Sequence, residues 1–169
     1  MGANPKTSDF LKECISDALY QLLSEKAFNK ITIENITEKA GVGRVTYFRH
    51  FSSKEEVLQF KISRLWSRYC DCHGILKRNC FDIENANDFF NFNYEIRDYL
   101  KLLYQSGLEI VLFNVFMETM LPKDIYSKNW YREKFYSHGL FGILDGWIRK
   151  DFLETPEQMA EIILEIMQA

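Results

Sequence analysis

Between Gly43 and Glu55 the chain runs Arg44, Val45, Thr46, Tyr47, Phe48, Arg49, His50, Phe51, Ser52, Ser53, Lys54. Three cations, an imidazole and three hydroxyl-bearing small residues fall within one short stretch that contains no acid. Such a set suits anions and base edges rather than bond-breaking chemistry. Arg44 carries a planar fork that matches guanine O6 and N7, and Val45 suits a thymine methyl. Thr32 and Ser53 place hydroxyls and free backbone N–H groups at two helix starts, which is where phosphates bind. Lys54 adds a cation beside the second.

The elements that must position these groups are readable from spacing. Leu11, Ile15, Ala18, Leu19, Leu22 and Leu23 recur every three or four residues and predict a first helix, capped by Thr7 or Ser8 and ending near Lys26. Thr32 caps a second, over which Ile33, Ile36 and Ala40 share a face. Gly41 stops it and Gly43 closes a short turn. Arg44 to Phe51 forms a third, short helix whose Tyr47 and Phe51 face the core with Val42. Ser52 or Ser53 caps a fourth, with Glu55 and Glu56 in its first turn, running to about Cys72. This is the layout of a helix-turn-helix, whose second helix lies in the major groove and must expose small and polar side chains. On layout alone the same pieces also occur in ordinary cores. Arg49 reads equally as a solvated surface residue, and Val45 as a core residue.

The segment AGVGRVTYFRHFSSKEEV resembles the helix-turn-helix of TetR-type transcriptional regulators, and ITIENITEK upstream resembles that family's second helix. The resemblance covers residues 8–66. It implies a DNA interface made by Thr32, Arg44, Val45, Thr46, Tyr47, Phe48, Arg49, His50 and Lys54. Within it Thr32 caps its helix and meets phosphate, Arg44, Val45 and Thr46 form the recognition surface, and His50 and Lys54 hold the DNA backbone. Two departures stand out. Gly43 replaces a polar cap, and Phe48 stands where the family usually has a tyrosine that meets phosphate, the tyrosine here being one place earlier. The stretch WYREKFYSHGLFGILDGWIRKDFLETPEQMAEII is similar to the last two helices of a short branch that includes regulators near dihydroxyacetone kinase genes.

Charge separates the chain into two parts. Residues 1–70 hold eleven Lys and Arg against eight Asp and Glu, a net +3, and residues 71–169 hold ten against sixteen, a net −6. A basic N-terminal part can meet phosphates and the acidic remainder cannot easily do so. With 47% hydrophobic and 27% charged residues in 169, the chain matches one ordinary globular body and excludes disorder over most of its length. The apolar run Ile110–Met117 is too short to span a bilayer, and no signal-like apolar stretch opens the chain. A cytoplasmic protein without membrane contact is expected. Cys70, Cys72, His73 and Cys80 do not match a zinc spacing, and positions 70 and 72 do not share a helix face. His50, His73 and His138 have no evident catalytic partner in sequence. Neither an enzyme nor a cofactor is expected.

Beyond residue 80 the aromatics are dense. One helix is predicted over Phe89–Tyr104, broken by Gly107, and then a nearly apolar, buried one over Leu108–Leu121 that Pro122 ends. A long segment from Lys128 to Lys150 and a last helix opened by Thr155 and Pro156 follow. No strand pattern of period two survives. Phe92, Tyr99, Tyr104, Phe113 and Phe116 are the candidate lining of a cavity for a small apolar or aromatic inducer, or else core filling. Glu109, Asn114 and Glu118 could orient such a ligand or lie on an exposed edge. Gly139, Gly142 and Gly146 share one helical face, at a cost of up to ~1 kcal/mol each relative to Ala, which suggests close helix approach. With Ile143, Trp147, Ile162, Ile163 and Ile166 they form a candidate homodimer patch, the alternative being packing within one chain.

The expectation is therefore an all-α fold. An N-terminal three-helix bundle with a helix-turn-helix (1–52) precedes a linker helix and a ligand-binding and dimerisation body (53–169). The resemblance implies a homodimeric, ligand-responsive repressor on a palindromic double-stranded operator. The alternative is a helical interaction regulator controlled by a protein partner.

Overall fold

The computed structural model describes residues 5–75, 83–121 and 124–168. Every regular element among them is helical. Helix α1 (Pro5–Glu25) buries Ile15, Ala18, Leu19, Leu22 and Leu23, the face its spacing marks. It begins two residues before the expected cap at Thr7. A 3-10 turn (Phe28–Lys30) leads to α2 (Ile33–Ala40), which opens with reciprocal capping. The Asn35 N–H donates to Thr32 Oγ1 and the Thr32 N–H donates to Asn35 Oδ1, both at 3.1 Å, and such a cap is worth about 1 kcal/mol. Gly41 ends α2 at φ +66°, the left-handed region where a side chain would be strained. Helix α3 (Arg44–His50) starts at Gly43 without any side-chain cap, as the glycine there requires. Helix α4 (Lys54–His73) is tied by Ser53 Oγ, which accepts from the Glu56 N–H, and by the Glu56 carboxylate, which accepts from the Ser52 N–H at 2.6 Å.

The expected helix over Phe89–Tyr104 is two helices, α5 (Ile83–Glu95) and α6 (Arg97–Gln105). Ile96 breaks them at φ −95°, ψ 14°. The carbonyl of Tyr94 is taken up by the Arg97 guanidinium, which donates at 2.9 Å and lies over the Tyr94 ring. No glycine or proline marks this break. The sequence signal is silent there because a long-range packing preference produces it: α5 packs chiefly on α9, whereas α6 meets α1, α7 and α8.

Helix α7 (Glu109–Met120) buries Val111, Leu112, Val115, Phe116 and Met117 in the middle of the body. Asn114 and Glu118 are exposed and Glu109 is half-buried, which resolves these three to the helix edge. Pro122, the expected stop, lies outside the described residues. Helix α8 (Trp130–Arg149) joins α9 (Pro156–Gln168) through a turn in which Asp151 and Phe152 both adopt left-handed backbone, at φ 59° and 57°. A bulky residue is strained there. Phe152 is held by burial against Trp147, 4.8 Å between ring centres, and Asp151 by an ion pair with Lys101 at 2.6 Å. Thr155 and Gln158 cap α9 reciprocally.

The buried core is continuous from Ile15 in α1 to Ile163 in α9. Helix α4 joins the halves, packing on α1 and on α7. Ion pairs fasten the first contact. Glu13 meets Arg64 at 2.8 Å and Arg68 at 2.6 Å, and Lys61 meets Asp17. The Arg64 hydrogen bond, with Arg68 behind it, holds the Glu13 carboxyl below its ordinary value although partial burial opposes this. The folded value is thus the lower one, so the stabilisation is present above the unfolded carboxylate range and is lost as pH falls through the folded value. Urea midpoints taken from pH 7 to pH 3 should fall more steeply for the native chain than for Glu13→Gln; parallel curves would remove this pairing from the account.

Candidate nucleic-acid interface and helical cavity

Helix α3 is short because it starts at a glycine and stops where Phe51 returns to extended backbone at φ −142°. Its inner side is anchored by Tyr47, fully buried, whose ring contacts Phe51 at 6.1 Å and Phe48 at 5.4 Å between centres. Its outer side presents Arg44, Val45, Phe48 and Arg49, all exposed, with Thr46 and His50 half-buried beside them. Val45 is 73% exposed and Phe48 53%. Neither is core, so the core reading of Val45 is excluded. Arg44 lies 6.0 Å over the Phe48 ring, the outer limit of a cation–π contact. Burial, then Lys12 and Arg49, hold the His50 imidazole below its usual value, so it is neutral over more of the pH range in the free protein.

Two residues expected at the interface are placed otherwise. Tyr47 has no surface to offer, and among the described residues its hydroxyl has no hydrogen-bond partner. Burial, with Glu55 and Glu56 nearby, pushes that phenol up to about 12. The spacing to Phe51 already pointed inward; only the neighbouring departure at Phe48 suggested an outward tyrosine. Lys54 donates to the carbonyls of Phe28 at 2.7 Å and Ile31 at 2.8 Å, and sits 4.2 Å over the Phe28 ring. Desolvation lowers its ammonium from the ordinary value. Two of its three protons therefore close the corner between α1 and α2, a role no local pattern announces because the partners lie over twenty residues upstream. Thr32 is exposed at the cap of α2.

The five aromatics expected to line a cavity do not all meet at one. A cavity of about 90 Å³ lies between α4, α5, α7 and α8. Phe92 and Phe116 line it with Ile62, Trp66, Phe89 and Asn93. Tyr99 instead packs on Tyr20 and directs its hydroxyl to Leu58 O at 3.4 Å. Tyr104 donates to Asp145 at 2.9 Å, and Phe113 packs on Phe141 at 5.0 Å. Those three are structural because each ring satisfies a helix–helix contact outside the cavity. Trp66 and Asn93 were missed, since only the approach of α4 to α5 and α7 brings them to one wall.

The candidate dimer residues divide in the same way. Gly139 and Gly142 are exposed, Gly146 and Ile143 half-buried, and a methyl built on any of the three glycines meets nothing within 4 Å. The close approach inferred from them does not occur within the chain. Ile162 and Ile166 are 37% and 55% exposed. Trp147 and Ile163 are buried and belong to the core instead. Trp147 is fixed by Phe90, Phe152 and a hydrogen bond from Nε1 to Glu154 O at 3.0 Å. Tyr131 and Phe135, 82% and 75% exposed, extend the glycine face by two turns and were readable from their spacing to Gly139. Among the described residues no His, Cys, Asp and Glu group could hold a metal; Cys80 lies outside them. No described helix is long and apolar enough to cross a membrane.

A reciprocal cap, a left-handed glycine and a short helix with an exposed basic and apolar face define a DNA-binding helix-turn-helix regulator. Residues 15–59 match the family model described as bacterial regulatory proteins, tetR family, and residues 83–169 match that of a transcriptional regulator C-terminal region. The chain belongs to the tetR family. It is also 36% identical over 61 residues to an uncharacterized HTH-type transcriptional regulator, YxbF, of Bacillus subtilis (strain 168), a match spanning 36% of this chain and 16% of that protein.

Two substitutions probe the corner around α3. Tyr47→Phe removes a buried hydroxyl that has no partner, and thermal unfolding should show stability unchanged or raised by up to ~1 kcal/mol. Lys54→Met leaves two carbonyls without their charged donor and should destabilise by about 2 kcal/mol in urea titration; an unchanged midpoint would refute the pin.

Proposed function

We propose that this regulator is a homodimeric, ligand-responsive repressor that reads a palindromic operator, with residues 1–52 binding DNA and 53–169 responding and dimerising. The observation that carries the DNA reading is the outer face of α3, where Arg44, Val45, Phe48 and Arg49 stand exposed on a helix whose other side is anchored by the fully buried Tyr47. In this reading Arg44 takes a guanine edge and Val45 a thymine methyl, while Thr46 and Phe48 complete the groove surface. Thr32, Arg49 and His50 face the phosphate backbone, and Lys54 acts through the corner it closes, with one proton left over for phosphate.

Two copies are needed because a palindrome presents two half-sites related by a twofold axis. The unpartnered apolar faces of α8, with Tyr131, Phe135, Gly139 and Gly142, and of α9, with Ile162 and Ile166, support that dimer. Response follows if a ligand in the α4–α5–α7–α8 cavity prefers a displaced α4, which changes the spacing of the two α3 helices and weakens operator binding. The resemblance of 130–163 to regulators near dihydroxyacetone kinase genes places this regulator, in the same reading, in that short branch. The small cavity and the exposed Ile125 and Tyr126 favour a second reading, control by a protein partner.

Selection of an operator from random duplexes, followed by fluorescence anisotropy, tests the proposal. Arg44→Ala should cost ~1–3 kcal/mol on the selected site and relax one base position, with little change on random DNA. Equal loss on both would contradict base reading by Arg44. Sedimentation should give a dimer, and Phe135→Glu should split it; a monomer that still selects a palindrome would end the homodimer assignment.

A further inference from the structure

The outer face of α3 carries more carbon than phosphate binding can use. Val45 is 73% exposed and Phe48 53%, on a helix of seven residues that contains no acid. Exposed apolar residues scattered singly are ordinary, whereas a contiguous pair rimmed by polar groups points to a contact surface. Arg44 and Arg49 stand exposed beside this pair, and the Arg44 guanidinium lies 6.0 Å over the Phe48 ring. The Phe48 ring also meets Tyr47 edge to face, 5.4 Å between centres. That contact with a fully buried ring steadies Phe48 without covering it.

Spacing says what the pair can reach together. Three residues apart on a helix, Val45 and Phe48 share one flank, with about 5–6 Å between their Cβ atoms. Successive bases along a strand rise by roughly 3.4 Å, so the two side chains span neighbouring base edges. Neither an isopropyl group nor a phenyl ring can donate to a phosphate oxygen or to a base acceptor. The apolar group that base edges present in the major groove is the thymine C5-methyl. Arg44, one residue before Val45 and four before Phe48, keeps its fork beside them. Among the described residues it forms no ion pair, whereas Arg64 and Arg68 of α4 both meet Glu13.

We propose that Phe48 is a base-reading residue, and that with Val45 it seats the C5-methyl groups of two neighbouring thymines beside the guanine taken by Arg44. The assignment rests on the reading of α3 as the groove helix and deepens it. Phe48 then discriminates thymine from the three bases that lack the methyl, and the preferred half-site joins a guanine to a pair of thymines.

Replacing thymine by deoxyuridine removes that methyl and leaves the hydrogen bonds to adenine intact. The probe is the duplex recovered by selection from a random pool, with each thymine of one half-site changed to deoxyuridine in turn. Fluorescence anisotropy with the full chain should find two neighbouring positions at which the change weakens binding by about 4-fold each, the value of one buried methyl group. Phe48→Ser should erase the penalty at one position and Val45→Ser at the other, while Phe48→Leu, which keeps an apolar side chain, should retain it. Both residues are exposed, so these variants should melt as the native chain does. Should Phe48→Ser fail to fold, the deoxyuridine scan of the native chain still decides. The absence of a penalty at every thymine, or penalties that persist unchanged in Phe48→Ser, overturns the assignment and leaves sequence selection intact. A chain that enriches no sequence from the pool overturns the DNA reading itself, and this assignment with it.

Discussion

The position of α3 depends on a lysine that is buried against the backbone. Lys54 opens α4, and its ammonium closes the corner where α1 gives way to α2 by donating to Phe28 and Ile31. Hydrogen bonds from a charged donor are among the stronger ones a protein makes. Here they join the start of α4 to a turn over twenty residues upstream. Tyr47 is buried in the core, so α3 presents its opposite side to solvent. The exposed arginines and the exposed Val45 and Phe48 are consequences of this geometry.

Helix α4 carries that geometry into the body. It packs on α1, with Glu13 bridging Arg64 and Arg68, and on α7, beside which Ile62 and Trp66 line the cavity. One rigid element thus has an end in each half of the molecule. Interfaces packed at crystal-like density shift as units rather than deform by degrees. A displacement of α4 at Trp66 would be felt at Lys54 for that reason.

The C-terminal pair uses aromatic burial and backbone strain together. Asp151 and Phe152 both take left-handed backbone, and a bulky residue does so only where its surroundings compensate. Phe152 packs on Trp147, Trp147 packs on Phe90, and Lys101 reaches Asp151. Trp147 is consumed by this cluster, which is why it is unavailable to a second chain. A methyl built on any of the α8 glycines meets nothing within 4 Å among the described residues.

Spacing and capping alone establish the helical class, the helix-turn-helix and its caps. These follow from spacing and capping within a few residues, where backbone hydrogen bonds and side-chain periodicity act locally. Tertiary structure alone decided that Lys54 serves the fold and that Ile96 divides two helices. It also decided which aromatics surround the cavity and which merely fill contacts. Phe92 and Tyr99 look alike in sequence, each an aromatic on an apolar helix face. They part because α5 and α6 diverge at Ile96, and an aromatic's surroundings are set by which distant helix arrives against it.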